Sequence, residues 1–342
     1  MKAWRATQKE VLKLEELPSK TAEGNFVKVK TLYSAVSDTD KMIYLGDLTP
    51  PQFPFTLGRQ AVGMVTEVGE DVTNVERGDR VAIDPYVFCE DCKGCKEKKC
   101  TECTECADIK MYGVNADGLL SDFVIVPCQD VFKLPEHVSS KDSIYLGHIA
   151  LAQNIISKLD LQKGEHVVIM GASVVGIILA QIALYYQAVP IVVDTRQERL
   201  DILENLGVYY CINSVNEDVN KKIFSLTGGK NAEALVYISF AGQLLSRSLD
   251  LVMTNGKVII AGWSGTKPDL SGSFYNVFNK QLTVYGVSNG AKLIPVAINM
   301  LANKIVKVSD MTSKEVEFNE VDKMIKEQAE HKGKYIKVMV RF

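Results

Sequence analysis

The sequence predicts an α/β protein that combines a β domain with a second domain built on a doubly wound parallel sheet. Three observations support this prediction. The chain has 342 residues, 46% of them hydrophobic, which is too long for one ordinary core and fits two domains. Turn signals interrupt the first part of the chain at 23–24, 45–47, 50–51, 69–71, 77–79 and 116–118. After His148, apolar runs typical of strands alternate with helical periods.

The β domain is predicted from short β-rich runs before about residue 145. Turn signals such as Gly69-Glu70-Asp71 and Arg77-Gly78-Asp79 separate these runs. The runs span residues 26–30, 61–68, 80–83 and 122–126. Their spacing predicts an all-β domain with irregular loops.

The parallel sheet is predicted from apolar runs that follow His148. The runs span residues 167–170, 190–193, 234–238, 257–261 and 282–286, and helices are expected through Tyr186 and over 196–206. Continuous apolar strands separated by helices are typical of a doubly wound sheet. A helix over 293–304 and a strand over 336–341 follow, and we expect this tail to return to the first domain. The predicted domains are therefore 1–147 with 288–342, and 148–287.

The charge balance argues against nucleic acid and membranes as partners. The chain carries 39 basic and 42 acidic residues, for a formal net charge of -3. No apolar run approaches the roughly 20 residues that span a bilayer, and residues 1–10 lack a signal-peptide core. We expect a cytoplasmic protein that binds a small-molecule substrate or copies of itself.

A glycine-rich segment between the first predicted strand and helix of the parallel sheet predicts dinucleotide binding. It consists of Gly171, Ala172, Ser173, Val174, Val175 and Gly176, and Asp194 ends the next strand 23 residues after Gly171. Gly171 allows the tight turn, and Gly176 allows the helix to pack closely on the strand. The pyrophosphate is expected at the helix N-terminus, where free backbone N–H groups favour an anion.

The acid at position 194 indicates which cofactor is used. Asp194 is expected to accept from the ribose 2′-OH and to repel a 2′-phosphate, so NAD is favoured over NADP. Ser173 replaces the middle glycine and places a side chain near the phosphate. Arg196, two residues after the acid, would suit a 2′-phosphate instead. An ordinary strand-helix turn that ends in a surface aspartate is the alternative to a cofactor site.

The cysteines indicate a metal site. Six of the eight cysteines lie between Cys89 and Cys106, which in a long cytoplasmic chain favours metal over disulfides. The spacing of Cys89, Cys92, Cys95 and Cys103 predicts a closed tetrahedral site for one structural zinc. Cys100 and Cys106 leave an iron-sulfur site as an alternative, although neither cysteine run continues as a bacterial ferredoxin motif does.

The order of cysteine lobe (89–106), glycine turn and acid resembles the medium-chain, zinc-type alcohol dehydrogenases over nearly the whole chain. The supporting segments are Thr66-Glu67-Val68-Gly69, Gly78-Asp79-Arg80-Val81 and Gly118-Leu119-Leu120-Ser121-Asp122-Phe123. The resemblance implies a GroES-like β domain completed by the C-terminal part of the chain, with a Rossmann domain inserted. It also implies hydride transfer with NAD and a homodimer or homotetramer.

The departures from this family concern its catalytic zinc. Where the family usually shows Cys-Gly-Thr/Ser-Asp, this chain reads Ser37-Asp38-Thr39-Asp40, and where it shows Gly-His-Glu, this chain reads Gly58-Arg59-Gln60. The third ligand position falls near Gly147, beside His148. A guanidinium cannot ligate zinc, and a lone histidine cannot hold a catalytic ion against water. The resemblance thus implies that the structural zinc is kept and the catalytic zinc is lost.

Without a metal to polarise a carbonyl, the substrate must already be electrophilic. We expect an activated acceptor such as an enone, quinone or iminium. Arg59 is expected to hold a developing enolate or an anionic substrate group, with an ion pair to Asp38 or Asp40 as the alternative.

Three further residues are candidate proton donors. Thr39 occupies the family's proton-relay position, and its alternative role is a turn cap. His148 is a second candidate donor, and a satisfied core histidine is its alternative. Tyr44 has weaker support.

Two other functions stay open. One is alcohol or polyol dehydrogenation with zinc on unconventional ligands such as Asp38 and His148. The other is a non-catalytic NAD-binding protein that inherited the fold. The stretch from Lys314 to Glu327 is predicted to be only a charged surface.

Overall fold

The computed structural model describes residues 1–89, 91–96, 109–238, 245–262, 271–290, 292–331 and 333–342. Contacts divide these residues into two compact units. The first unit comprises Met1–Gly147, Ile294–Ala302 and Val308–Phe342, and the second comprises His148–Leu293 and Asn303–Lys307. This division differs from the predicted boundary at residue 288, because residues 288–293 and 303–307 pack with the second unit.

Among the described residues, the first unit begins with ten strands and two helices. They are β1 (Lys2–Gln8), β2 (Val11–Glu16), β3 (Phe26–Val36), α1 (Asp38–Leu45), β4 (Phe55–Thr56), β5 (Ala61–Val68), β6 (Arg80–Ile83), β7 (Tyr86–Val87), α2 (Lys93–Lys96), β8 (Lys110–Met111), β9 (Phe123–Pro127) and β10 (Val131–Lys133). The three longest runs predicted for this part, 26–30, 61–68 and 122–126, correspond to β3, β5 and β9.

The next elements run from α3, which starts just before the boundary between the units, to the last strand of the second unit. They are α3 (Leu146–Leu159), β11 (His166–Met170), α4 (Val174–Tyr185), β12 (Val189–Asp194), α5 (Gln197–Asn205), β13 (Tyr210–Asn213), α6 (Val219–Leu226), β14 (Ala232–Tyr237), α7 (Leu245–Ser248), β15 (Val252–Ile260), α8 (Ser271–Asn279) and β16 (Thr283–Gly286). The remaining elements are α9 (Ile294–Ala302), β17 (Thr312–Glu317), α10 (Val321–Glu330) and β18 (Lys337–Arg341), which belong to the first unit.

The main sheet of the first unit has the strand order β10-β6-β5-β3-β18-β17, and β9 also pairs with β3. Strand β18 therefore lies inside the sheet, antiparallel to β3 and parallel to β17. A smaller sheet, β2-β1-β4, and the pair β7-β8 complete the unit among the described residues. The core next to β18 includes Val338 and Val340, which are fully buried.

The described part of the second unit contains six parallel strands in the order β13-β12-β11-β14-β15-β16. Counted along the chain within this sheet, the order is 3-2-1-4-5-6, that of a doubly wound nucleotide-binding fold. Residues 167–169 of β11 are fully buried, as expected for a central strand covered on both faces. The predicted α/β class with a doubly wound parallel sheet is confirmed.

The interpretation of 314–327 as only a charged surface is wrong. This stretch contains most of β17 and α10, and it buries Val316, Val321, Met324 and Ile325 in the first unit's core. The buried positions of α10 follow the helical period, while the charged residues between them face solvent. The high charge content hid this period.

In the part of the chain that the structure describes, no helix combines the length and the apolar character needed to cross a bilayer.

Candidate functional site

The glycine turn joins the end of β11 to the start of α4 in the second unit. Gly171 has a φ of 114°, a backbone conformation that favours glycine. A Cβ added at Gly176 would lie 2.0 Å from the carbonyl oxygen of Gly171, so no larger residue fits without moving the backbone. Both glycines therefore have the geometry that a close strand-to-helix turn requires.

The N-terminus of α4 is suited to an anion. Ser173 is the N-cap, and its hydroxyl accepts from the backbone N–H of Gly176 at 3.4 Å. The first turn of α4 contains no acidic side chain, so no side chain in it offsets the partial positive charge of the helix end. Val174 is buried and Val175 is half-buried, so the apolar side chains of this turn pack inward.

Asp194 links the end of β12 to the glycine turn. Its Oδ2 accepts from the backbone N–H of Ala172 at 2.7 Å, and its Oδ1 accepts from the N–H of Arg196 at 2.9 Å. A carboxylate offers about four acceptor sites, so these two bonds leave capacity for a hydroxyl. Arg196 is the N-cap residue of α5, and its guanidinium lies 3.4 Å from Glu198. This ion pair is exposed, so it restrains the guanidinium only weakly.

The cysteine cluster lies in the first unit around α2. The thiols of Cys89, Cys92 and Cys95 lie within 4.8 Å of one another, and those of Cys89 and Cys95 are 3.9 Å apart. Tetrahedral zinc with Zn–S bonds of about 2.3 Å separates its sulfurs by about 3.8 Å. The backbone N–H groups of Cys92 and Cys95 also point at the preceding thiols, at 3.4 and 3.5 Å. Three of the four predicted ligands are thus brought together, while Cys103 lies outside the described residues, as do Cys100 and Cys106.

Asp40, Arg59, Gln60 and Lys337 form what we call the buried charge cluster, elsewhere in the first unit; Asp40 and Lys337 are buried, and Arg59 and Gln60 are half-buried. Asp40 is fully buried on α1, where its Oδ2 accepts from the backbone N–H and the hydroxyl of Ser37 at 2.7 and 2.6 Å. Its Oδ1 accepts from the backbone N–H of Gly58 at 2.7 Å. Burial raises the pKa of the Asp40 carboxyl above its ordinary value.

Ser37 and Thr39 have different positions at the start of α1. Ser37 is the N-cap of α1 and forms a capping box with Asp40. Thr39 lies in the first helical turn and is half-buried. The alternative role of Thr39 as a turn cap is therefore wrong, because the neighbouring serine provides the cap.

Arg59 does not pair with either nearby acid. Its Nη2 donates to the hydroxyl of Tyr86 at 3.2 Å, and its guanidinium carbon lies 5.8 Å from the centre of that ring. Asp38 instead pairs with Lys41 at 2.5 Å. The alternative of an ion pair between Arg59 and Asp38 or Asp40 is thus wrong. Nε of Arg59 is buried and has no hydrogen-bond partner among the described residues.

Lys337 was not identified from the sequence. It begins β18, is 5% exposed, and its Nζ donates to Oε1 of Gln60 at 2.5 Å. Burial lowers the pKa of Lys337 to about 8, against the opposing effect of Asp40. The available signal was a single lysine at the start of the apolar run Val338-Met339-Val340, where a strand inside a sheet carries it into the interior.

The two other candidate donors lie in different units. His148 is half-buried on α3 and belongs to the second unit. Tyr44 belongs to the first unit, where its ring packs against the core that contains Val338 and Val340. The tyrosine is therefore explained by packing.

Two family models match the chain. The model described as "Alcohol dehydrogenase GroES-like domain" matches residues 23–136, and the model described as "Zinc-binding dehydrogenase" matches residues 174–303. Together they cover more than two thirds of the sequence and both units.

Similar proteins match almost end to end. An uncharacterized zinc-type alcohol dehydrogenase-like protein of Haemophilus influenzae is 28% identical, over 96% of this chain and 95% of the relative. A sorbitol dehydrogenase of Halalkalibacterium halodurans is 27% identical, over 96% and 94%. A crystal structure of a short chain alcohol dehydrogenase of Escherichia coli complexed with NADH covers 100% of this chain and 99% of its own, with a TM-score of 0.89. Its sequence identity of 24% supports a likeness of fold alone.

The family models cover both units, and the relatives extend over nearly the whole chain. The protein therefore belongs to the medium-chain dehydrogenase/reductase superfamily, as a zinc-type alcohol dehydrogenase-like oxidoreductase.

Proposed function

We propose that this oxidoreductase uses NAD(H) to reduce an activated small-molecule acceptor, such as an enone, quinone or iminium, without a catalytic zinc. The observation that carries this proposal is the buried charge cluster, in which Arg59 and Gln60 stand where the family places zinc-binding residues. A reductase that lacks the metal needs an acceptor that is already electrophilic.

The residues present do not fit a catalytic zinc. The hydroxyl of Ser37 is used in the capping box, Arg59 cannot be a ligand, and the amide oxygen of Gln60 accepts from Lys337. Asp38, the unconventional ligand considered above, is paired with Lys41. Within the described ranges, Cys89, Cys92 and Cys95 form the one group of three or more metal-ligating side chains close enough to share an ion.

The cysteine cluster fits one structural zinc. Three thiols already lie at zinc-like separations, and the backbone N–H groups that point at them favour thiolates. We propose that Cys103 supplies the fourth ligand. Four thiolates leave no open position for a substrate, so this ion would stabilise the lobe 89–106 and not take part in hydride transfer.

The second unit is proposed to hold NAD. Gly171, Ser173, Val174, Val175 and Gly176 would place backbone N–H groups at the pyrophosphate. Asp194 would accept from the ribose 2′-OH and disfavour NADP. Arg196, which pairs with Glu198 at the surface, is the group that would oppose this preference. When bound, the nicotinamide supplies the hydride, and NADH becomes NAD⁺.

The chain's own residues would manage the charge and proton of the reduction. Hydride addition to a conjugated acceptor leaves negative charge on the substrate, which Arg59 would stabilise as an enolate or accept as a pre-existing anionic group. We propose the half-buried hydroxyl of Thr39 as proton donor and His148 as a second candidate.

We also propose a cytoplasmic homodimer or homotetramer. Strand β16 lies at the edge of the parallel sheet, and its residues are all exposed, including Val284 and Tyr285. An exposed apolar edge strand is a template for pairing with a second copy. The dimer model would be contradicted by a monomeric mass in sedimentation equilibrium at micromolar concentrations.

A metal count combined with turnover tests the zinc assignment. We expect one zinc per chain by mass spectrometry, held by the cysteine lobe and lost in Cys92→Ser. NADH oxidation should be seen with cyclohexenone, benzoquinone or a cyclic iminium and should survive mild chelation. Two zinc ions per chain, with one removed together with activity, would contradict the proposal.

A second candidate function is alcohol or polyol dehydrogenation, which the near full-length likeness to a sorbitol dehydrogenase favours. Zinc-dependent reduction of NAD⁺ with sorbitol would decide for it. A non-catalytic NAD-binding protein is the third candidate, and tight NADH binding without turnover on the whole acceptor panel would decide for that one.

A further inference from the structure

The buried charge cluster holds more positive than negative charge. Arg59 and Lys337 bring two cations, and Asp40 brings one carboxyl. Among the described residues, neither cation has a carboxylate within ion-pair distance: Lys337 donates to an amide oxygen, and Arg59 donates to a phenol. Charges are rarely buried away from a functional site unless an opposite charge pairs with them.

Asp40 does not correct this imbalance. Its carboxyl oxygens are engaged by Ser37 and by the backbone of Gly58, so it holds the start of α1 against the Gly58 turn. Burial also favours the neutral form of this carboxyl. Asp38, the other carboxylate that acts on Lys337, is exposed and paired with Lys41, so the cluster itself is short of at least one negative charge.

The side chain of Arg59 is oriented to bind a negatively charged group. Tyr86 accepts one hydrogen from Nη2 and places its ring beside the guanidinium, which restricts the arginine before any ligand binds. Nε remains buried without a partner in the described part of the chain, and Nη2 retains a second hydrogen. Nε and Nη2 form one edge of the guanidinium, and this edge matches the two oxygens of a carboxylate.

We propose that Arg59 and Lys337 bind a carboxylate carried by the substrate, so that the preferred acceptor is an electrophilic carboxylic acid. This inference rests on the proposed function. Of the two roles proposed for Arg59, it selects binding of an anionic substrate group over stabilisation of an enolate. A single carboxylate supplies a negative charge that the cluster lacks, and its two oxygens match the edge formed by Nε and Nη2 of Arg59. Arg59 would contact the carboxylate directly, and Lys337, held by Gln60, would add to the positive field.

The kinetic test compares acetylacrylate, a conjugated enone with a carboxylate, with its neutral methyl ester. We expect kcat/KM with NADH to be at least about 30-fold higher for the acid, as a bidentate charged contact would give. Arg59→Gln should reduce this preference to about twofold or less, and Arg59→Lys should keep part of it. Equal kcat/KM values for acid and ester in the wild-type enzyme would overturn the proposal.

A binding test separates this inference from the proposed function. Levulinate, the saturated ketone acid, and methyl levulinate are titrated by calorimetry into the NADH-saturated full chain. We expect levulinate to bind at least about 10-fold more tightly than the ester, and Arg59→Gln to remove the difference. If neither enone is reduced but levulinate is preferred, the proposed reductase function fails while the carboxylate site stands.

The controls address folding and the kind of anion. Lys28→Gln removes a largely buried cation that pairs with Glu67 in the same unit, and it should leave the preference for the acid unchanged. Lys337→Met removes the second positive charge, and circular dichroism would report whether this variant folds. If it does not fold, Lys337→Arg is used instead, because it keeps the charge. If inorganic phosphate displaces levulinate at lower concentration than acetate does, the site is a phosphate site and the carboxylate assignment is overturned.

Discussion

The two candidate anion sites of this molecule use different chemical groups. In the second unit, the glycine turn offers backbone N–H groups at a helix end and no cationic side chain in its first turn. In the first unit, the buried charge cluster offers two cationic side chains and little backbone. The first kind of site depends on local backbone shape, while the second depends on residues that only the fold brings together. The two sites should therefore respond differently to substitution.

The largest effect is expected from Gly176→Ala. The added Cβ would lie 2.0 Å from a backbone oxygen, so the turn must shift, and a shift of about 1 Å weakens NADH binding about 100-fold or more. Fluorescence titration of NADH measures this loss. Gly286→Ala is the matched control in the same unit, since a Cβ there would meet no atom within 4 Å. Binding within threefold of wild type in Gly176→Ala would show that the turn is not the cofactor site.

A smaller loss of NADH binding is expected from Asp194→Ala. This variant tests whether Asp194 only stabilises the backbone of the turn or also binds the ribose of the cofactor. Loss of a carboxylate that accepts from Ala172 and Arg196 should weaken NADH binding by about 10-fold to 100-fold. If Asp194 also accepts from the ribose 2′-OH, the substitution should weaken NADPH binding less than NADH binding, or should improve NADPH binding. Equal losses of affinity for NADH and NADPH would show that Asp194 only stabilises the backbone of the turn.

Anion binding at the buried charge cluster should depend on pH, whereas anion binding at the glycine turn should not. Because the pKa of Lys337 is lowered to about 8, its charge is lost as the pH rises through that value, and levulinate affinity should fall on the order of 5-fold between pH 7 and 9.5. Asp40, Asp38 and Arg59 are the other groups whose charges act on Lys337. Lys337→Arg should give a flat profile. A wild-type profile as flat as that of the arginine variant would exclude Lys337 from the site.

The same lowered pKa affects stability. Between pH 8 and 10.5 the unfolded chain binds the Lys337 proton more tightly than the folded chain does. This group therefore makes the folded state more stable as the pH rises across that window. Urea unfolding at several pH values would detect the slope, which Lys337→Arg should remove.

The smallest effect is expected from Ser37→Ala. Removal of the N-cap of α1 should cost about 1 kcal/mol of unfolding free energy and leave NADH binding unchanged. Thr39→Ala is the matched control, because it removes the neighbouring hydroxyl without removing the cap. Equal losses in the two variants would contradict the assignment of Ser37 as cap.

The same contrast explains how much the sequence could predict. The fold class and the family were predictable, because the spacing of glycines, acid and apolar runs over 167–194 is local, and both are confirmed. The roles of Gly171, Gly176 and Asp194 in binding NAD remain predictions. Lys337 could not be assigned, because nothing near it in the sequence indicates that a strand 277 residues away from Gln60 would meet it. The same limit applied to Arg59, whose partner proved to be Tyr86 and not a nearby acid.

The position of β18 has a consequence for biosynthesis. This strand lies between β3 and β17 inside the first unit's sheet, and it follows the entire second unit in the chain. A ribosome must therefore release the second unit, whose sheet uses strands from one continuous stretch, before the sheet begun by β3 can be closed. Until then the edge of β3 that will receive β18 lacks its partner strand and is open to chaperones and to other nascent chains, and the buried charge cluster lacks Lys337. Synthesis order thus makes the buried charge cluster, which we propose as the substrate site, one of the last parts of this chain to be assembled.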